Sequence, residues 1–424
     1  MERERIGFVG TSDLAGHFRG KSFPMADLPA RLVRGVGLAP SNMMLSAFGP
    51  IYETPFGTEG EVFLIPDPGT HVEVMFGDAA PEIFFIGDIR TFDGTPWAYC
   101  PRNFLRRAVN ALEDETGLRL LSAFEQEFVY TGAEARPASP YRLDALRRQG
   151  IFGEALLAAL RAAGLTPDSF LAEYGARQYE VTIAPAIGVT AADNAVITRE
   201  LTQAVAFRLG QRTIHAPIMD PNDVGTGTHI HFSLVDGAGA PALPDLSGPY
   251  GLSEVGSRFI AGILHHMPAI TAVTAPSVAS YYRLRPNRWA PTTANLASLD
   301  RGAAVRLCSA PGSDGDTSAR QFNAEFRVAD AAASPYLALG MLVHAGLDGV
   351  RKKMALPSPG QAKGASRLPA SLDEALDFLA GNGEARDWFG ADFLDVYLMF
   401  KRSEIHSLDG LDEQEICRRY AEVY

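Results

Sequence analysis

The stretch Val224–Leu234, V-G-T-G-T-H-I-H-F-S-L, constrains what this chain can fold into more than any other. Its glycines followed by apolar and β-branched residues predict a turn that delivers a strand. Side chains alternate along a strand, so His229, His231 and Ser233 share one face while Ile230, Phe232 and Leu234 share the other. The apolar face calls for a core. The polar face lines up two imidazoles and a hydroxyl about 6–7 Å apart at the usual strand rise. A second strand repeats the design: in Leu121–Tyr130, L-S-A-F-E-Q-E-F-V-Y, Glu125 and Glu127 point one way and Phe124, Gln126 and Phe128 the other. Carboxylates inside an apolar strand are costly to bury unless paired or coordinated. Glu173 and Glu180 bracket E-Y-G-A-R-Q-Y-E, and Glu325 lies two residues before Arg327 in F-N-A-E-F-R-V-A-D. Each fragment alone also fits a solvated sheet face. Converging, five Glu and a His suit hard divalent cations, Mg²⁺ or Mn²⁺, and no Cys/His spacing suggests zinc.

Taken in order, E-x-E-F, E-Y-G-x-x-Q-Y-E, G-T-G-T-H-I-H-F-S, S-Y-Y-R-L-R-P and E-F-R-V-A-D resemble the glutamine synthetase superfamily. W-A-Y-C-P-R at Trp97–Arg102, the apolar run Ser334–Gly349 and L-P-A-S-L-D-E-A-L at Leu368–Leu376 extend the match over nearly the whole chain. The ordered set is specific where each piece is weak. The resemblance implies an α+β fold, with a small β-grasp-like domain at 1–95 and a catalytic domain at 96–424 built on a mainly antiparallel sheet flanked by helices. The activity it implies is ATP-dependent ligation: a carboxylate becomes an acyl phosphate, usually γ-glutamyl phosphate, and an amine displaces the phosphate.

The implied site follows residue by residue. One cation would be held by Glu127, Glu173 and Glu180, another by Glu125, His229 and Glu325. Two anions must react, so cations that neutralise their repulsion and align them are a physical need. Arg283 would take the amino acid's α-carboxylate, and Arg301, Arg306 and Arg327 the reacting carboxylate and phosphates, for which the guanidinium fork is suited. His231 and Ser233 match the nucleotide-contacting pair, with Arg320 and Asp168 as further candidates near ATP. Gly225 would let backbone approach the substrate closely. Arg285, Arg288 and Arg320 fit surface ion pairs equally well. Relatives assemble as two stacked hexameric rings, a dodecamer whose sites are shared between subunits.

Departures from the family pattern bear on the amine. Ammonia-using synthetases place a Glu shortly after R-L-x-P; in register, S-Y-Y-R-L-R-P-N-R-W-A-P puts Trp289 there. Their second acid, in a D-G-S-S segment of the neighbour's small domain, is replaced here by S-A-F-G-P-I-Y-E near Ala47. The Asn before the glycine turn is Val224. Without carboxylates NH₄⁺ loses its charge partners, whereas an indole offers an apolar wall or a cation–π face. These changes point to an amine larger than ammonia joined to glutamate or a similar amino acid, with Glu53 and Glu59 as guesses for the base. Three alternatives stay open: an ammonia-dependent synthetase with relocated acids, a silent structural or regulatory relative, and a guanidino-phosphotransferase, which the small N-terminal domain disfavours. No tyrosine in 355–367 corresponds to the family's adenylylation site.

Composition agrees. A net charge of −12 argues against nucleic acid or an anionic membrane as partner. Three scattered cysteines read as reduced thiols, and neither a signal region nor a bilayer-length apolar run is present, so a cytoplasmic enzyme is expected. Periodicity predicts single helices over Asp144–Ala163, Ala191–Leu209, Ser253–His266 and Ser334–Met354, with His265 and His266 at a helix end. It also predicts a polar loop at Pro311–Ser318, a loop at 355–367, and two or three closing helices.

Overall fold

The computed structural model describes residues 3–77, 79–136, 140–245, 247–309, 315–357 and 365–424. Its N-terminal part comprises β1 (Ile6–Ser12), β2 (Phe18–Pro24), α1 (Leu28–Arg34), β3 (Val36–Leu38), β4 (Val62–Pro66), β5 (Val72–Val74) and β6 (Glu82–Arg90). These strands form a sheet in the order β2-β1-β6-β4-β3 with β5 also on β6; only β1 and β6 run parallel. Alternation in β4 buries Val62, Leu64 and Pro66, and the core beneath holds Val9, Phe85, Ile89 and Trp97.

The chain continues through α2 (Pro101–Thr116), β7 (Arg119–Tyr130), α3 (Leu143–Arg148), α4 (Phe152–Ala162), β8 (Pro167–Ala172) and β9 (Gln178–Ile183). Next come β10 (Ala186–Ile187), α5 (Val189–Arg208), β11 (Thr213–Ile214), β12 (Thr228–Val235), α6 (Glu254–Thr274) and α7 (Ser280–Arg283). The remainder is β13 (Leu296–Ala297), β14 (Val305–Cys308), α8 (Gly315–Gln321), β15 (Asn323–Phe326), α9 (Pro335–Arg351), α10 (Leu372–Ala380), α11 (Gly383–Phe389), α12 (Ala391–His406) and α13 (Glu413–Val423). A second sheet runs β13-β14-β15-β12-β7-β9-β8, with β10 and β11 also on β7; every pair but β13/β14 is antiparallel. Its apolar face carries Phe124, Phe128, Ile230, Phe232 and Phe326, all buried, with α2 and α5 packed on β7. Helix α9 is apolar almost all round and is buried among α2, α5 and α6, as such a helix must be.

The α+β architecture agrees with expectation; several details do not. The helix expected over Asp144–Ala163 is two, α3 and α4, because the chain turns at Gly150 in the left-handed region, φ 67°. Helix α6 runs on through Pro268 to Thr274, so His265 and His266 lie inside it. His266 is buried and its Nε2 lies 2.8 Å from Asp348 of α9. The loop expected at Pro311–Ser318 gives way to α8 from Gly315, its earlier residues lying outside the described ones, as do 358–364 of the loop at 355–367. Four helices close the chain, α10 to α13.

Arg102, at the start of α2 and 3 % exposed, ties the N-terminal sheet to α5. Its guanidinium donates to Asp193 of α5 at 2.8 and 2.9 Å, to Asp88 of β6 at 3.0 Å and to Asp67 at 2.8 Å. The Tyr336 hydroxyl also donates to Asp193, at 2.7 Å. Replacing Arg102 by Met strands the buried Asp193 carboxylate, and an unfolding free energy lower by about 3–5 kcal/mol is expected in denaturant titration. A loss below about 1 kcal/mol would show that the tie is dispensable.

Candidate active site

Strand register assembles the polar face. The β7–β12 pairing sets Glu125 opposite His229, β7–β9 sets Glu127 opposite Glu180, and β12–β15 sets His231 opposite Glu325. The β14–β15 pairing brings Arg306 opposite Glu325. Glu173 follows β8, and its N–H donates to Gln178 O at 2.9 Å across the hairpin into β9. Seven acidic and imidazole side chains from five segments thus meet on one sheet face.

Their contacts are dense. Glu125 Oε2 is 3.1 Å from His229 Nδ1, and Glu125 Oε1 is 2.9 Å from His231 Nε2. Glu325 is fully buried, ion-paired with Arg306 and Arg327, and 3.4 Å from His229 Nδ1. Glu127 Oε2 accepts from Gln178 Nε2 and from the Gly227 N–H, both at 2.8 Å. Glu173 accepts from the Tyr141 hydroxyl at 3.3 Å. Glu180, 8 % exposed, has no hydrogen-bond or ion-pair partner among the described residues.

The charges respond to this crowding. Burial, then the neighbouring Glu125, Glu127 and Glu173, push Glu180 up to about 9. Burial and Glu127 push Glu173 up to about 7. Burial alone would raise Glu125, but hydrogen bonds to His229 and His231 hold its carboxyl well below the ordinary range. Burial is likewise outweighed at Glu325, where His229, Arg327 and Arg306 lower it.

A buried, unpartnered carboxylate among others is unfavourable by itself and becomes favourable around a cation, so the donor set fits hard divalent ions. Donor atoms of Glu125, His231 and Glu325 lie within 4.8 Å of one another, as do those of Glu125, Glu180 and His229. Glu127 accepts from Gln178, and Glu173 from Tyr141.

Two cavities open on this cluster and share Glu125, Leu171 and Glu180 as a common wall. The first, about 390 Å³, is lined by Glu127, Glu173, His229, Val224, Gly225 and Trp289, and by Arg283, Arg288, Arg301, Arg306 and Arg327. Arg283 is buried, donates to the carbonyls of Val328 and Ala329 at 2.6 Å, and lies so close to Gly225 that a Cβ there would collide with it. Trp289, 62 % exposed, stacks on Tyr174 with ring centroids 5.7 Å apart. The second cavity, about 650 Å³, is lined by His231, Ser233, Asp168, Arg320 and Asn323.

Arg285 lies apart, paired with Glu413 at the surface, while Arg288, on the wall of the first cavity, donates to the carbonyls of Pro221 and Asp223. Glu53 and Glu59 are exposed and line neither cavity, and Ala47 is buried in the core. Sequence reasoning missed Gln178, which holds Glu127 and also donates to Gly225 O at 3.0 Å, and Asn323, whose Oδ1 is 2.8 Å from His231 Nδ1. Tyr141 and Tyr174 were missed as well; the adjacency of Tyr174 to Glu173 was the available signal.

Comparison with known proteins settles the class. Residues 98–420 match the glutamine synthetase catalytic domain and residues 2–97 the glutamine synthetase N-terminal domain. The chain belongs to the glutamine synthetase family. A solved structure described as a novel glutamine synthase homolog superposes with a TM-score of 0.95 at 40 % identity, covering 100 % of this chain and 99 % of its own. The gamma-glutamylpolyamine synthetase of Streptomyces coelicolor is 32 % identical over 97 % of this chain and 92 % of its own length. The gamma-glutamylanilide synthase of an Acinetobacter species is 28 % identical, with coverages of 93 % and 86 %. Membership of the glutamine synthetase family makes this protein an ATP-dependent C–N ligase, of a family that uses ATP and divalent metals. Among the described residues no helix is long and apolar enough to cross a membrane.

The raised carboxyls give a signed pH dependence. A carboxyl whose folded pKa lies above its unfolded value adds stability that is complete below the unfolded value and lost as pH rises through the folded one. Glu173 and Glu180 place that loss between the ordinary carboxylate range and about 9 in metal-free protein. The rise in melting temperature on adding Mn²⁺ is therefore expected to be larger at about pH 8.5 than at about pH 6. An equal rise at both would contradict a cation taking the place of those protons.

Proposed function

We propose that this ligase joins glutamate, through its γ-carboxyl, to an organic amine larger than ammonia. The observation that carries the reading is Trp289. In register with S-Y-Y-R-L-R-P-N-R-W it stands where ammonia-using relatives carry a Glu, and its indole lines the first cavity, stacked on Tyr174. An apolar wall disfavours bare NH₄⁺ and favours a carbon skeleton.

In this reading glutamate fills the first cavity and ATP the second. Arg283, beside Gly225, takes the α-carboxylate; Arg301, Arg306 and Arg327 face the reacting γ-carboxylate and the phosphates; His231, Ser233 and Arg320 attend the nucleotide. Glu125, Glu127, Glu173, Glu180, His229 and Glu325 would hold the divalent cations. Bound there, Mg²⁺ or Mn²⁺ supplies charge neutralisation for two anions that must meet. A γ-carboxylate oxygen attacks the terminal phosphorus and ADP leaves. The amine nitrogen then attacks the acyl carbon, inorganic phosphate departs, and nitrogen gives up a proton. Arginines that are already positioned stabilise the transferring phosphoryl without reorganising. The dodecamer of two hexameric rings, with each cavity closed by a neighbour's N-terminal sheet, belongs to the same proposal, and a monomeric mass in solution would count against it.

Phosphate release dependent on ATP and glutamate, measured across a panel of amines, tests the reading. Some organic amine is expected to exceed ammonia in kcat/KM; ammonia surpassing every organic amine would overturn it. Trp289→Glu is expected to move the preference toward ammonia by about tenfold, the effect of restoring one opposite charge. Gln178→Ala, which frees Glu127, is expected to weaken Mn²⁺ affinity or activity by about 10–100-fold. Unchanged metal affinity and turnover would show that Glu127 needs no such support.

A further inference from the structure

Resting on the amine-ligase reading, we infer that the accepted amine is a monoamine with an aromatic or aralkyl skeleton, and that Tyr174 and Trp289 together form the platform on which this skeleton lies. Three rings converge at the mouth of the first cavity. Trp289 stacks on Tyr174 at an interplanar angle of 22°, and Tyr141 meets Tyr174 edge-on at 5.7 Å and 88°. All three are exposed for their type, Trp289 at 62 %, Tyr141 at 61 % and Tyr174 at 38 %. Large exposed apolar surface gathered at a cavity mouth marks a place where something apolar binds.

The backbone is strained to present these rings. Tyr141 and Trp289 have φ of 58° and 55°, and Asn287 nearby has 64°; bulky side chains rarely adopt this left-handed region. Such strain persists where surrounding structure imposes it and concentrates at ligand-contacting sites. Glu173 links the rings to the acidic cluster, since it accepts from the Tyr141 hydroxyl at 3.3 Å and from the Tyr174 N–H at 3.2 Å. The platform is thus fixed relative to the reacting centre.

Charge decides between amine classes. Every carboxylate lining the first cavity among the described residues belongs to the acidic cluster: Glu125, Glu127, Glu173 and Glu180. The other charged groups lining it include five arginines, among them Arg288, which precedes Trp289 in the chain. Within this chain, the second ammonium of a diamine or longer polyamine would find no carboxylate outside the acidic cluster and would meet like charge. An arene meets the opposite situation, since ring stacking on Trp289 and Tyr174 is favourable and guanidinium groups tolerate π faces.

The test compares benzylamine and phenethylamine with putrescine and spermidine under saturating glutamate and ATP. The aralkylamines are expected to lead in kcat/KM by about tenfold or more, and Trp289→Ala to raise their KM about tenfold while leaving the KM for glutamate within about twofold. Trp289→Phe keeps a ring and is expected to restore most of the loss. A second readout needs no turnover: Trp97 and Trp388 are each 6 % exposed, so a solvent-responsive change in fluorescence reports Trp289. With Mn²⁺, glutamate and a non-hydrolysable ATP analogue present, benzylamine is expected to quench emission saturably and putrescine not to. Organic amines active but polyamines preferred, or a Trp289→Ala effect falling on glutamate, would overturn the platform alone. Ammonia preferred over all amines would instead overturn the underlying reading.

Discussion

One constraint underlies the site: the register of the β12–β7–β9 and β15–β12 pairings. Side chains alternate along a strand, so a slip of one residue would send His229, Glu125 and Glu180 into the core and expose Phe124, Phe128, Ile230 and Phe232. Each of those apolar side chains contributes about 1.5–3 kcal/mol when buried. Four together rival the whole stability of a typical domain, about 5–15 kcal/mol. The apolar face therefore acts as a jig for the polar one. What sets the catalytic geometry is burial on the far side of the sheet, not attraction among the acidic residues, which repel one another.

That repulsion is the second element of the site. Glu173 and Glu180 are both pushed up in pKa by burial and by their neighbours, while Glu125 and Glu325 are held down by imidazoles and guanidinium groups. Arg306 and Arg327 close around Glu325, whereas Glu180 has no ion-pair partner among the described residues. Arg102 extends the ordering outward by locking the N-terminal sheet to α5 and α2.

Much of this was legible in the chain because its signal has period two. The alternation in Thr228–Val235 and in Arg119–Tyr130 announces which residues share a face before any partner is known. Which strand lies beside which is non-local, and here it became readable only through the ordered motifs. Gln178 escaped notice because one polar residue on a strand carries no local mark of the bonds it makes to Glu127 and Gly225. His266 was misplaced because its partner Asp348 lies on α9, far along the chain, and Gly150 broke a helix whose apolar spacing otherwise ran on. The raised carboxyls of Glu173 and Glu180 exist only once the segments converge, so no window of sequence holds them.

Anomalous diffraction from crystals grown with Mn²⁺ addresses the centre of this picture most directly. Two manganese peaks are expected on the polar sheet face, within bonding distance of atoms drawn from Glu125, Glu127, Glu173, Glu180, His229 and Glu325. Peaks located elsewhere, or none on that face while manganese binds in solution, would contradict it.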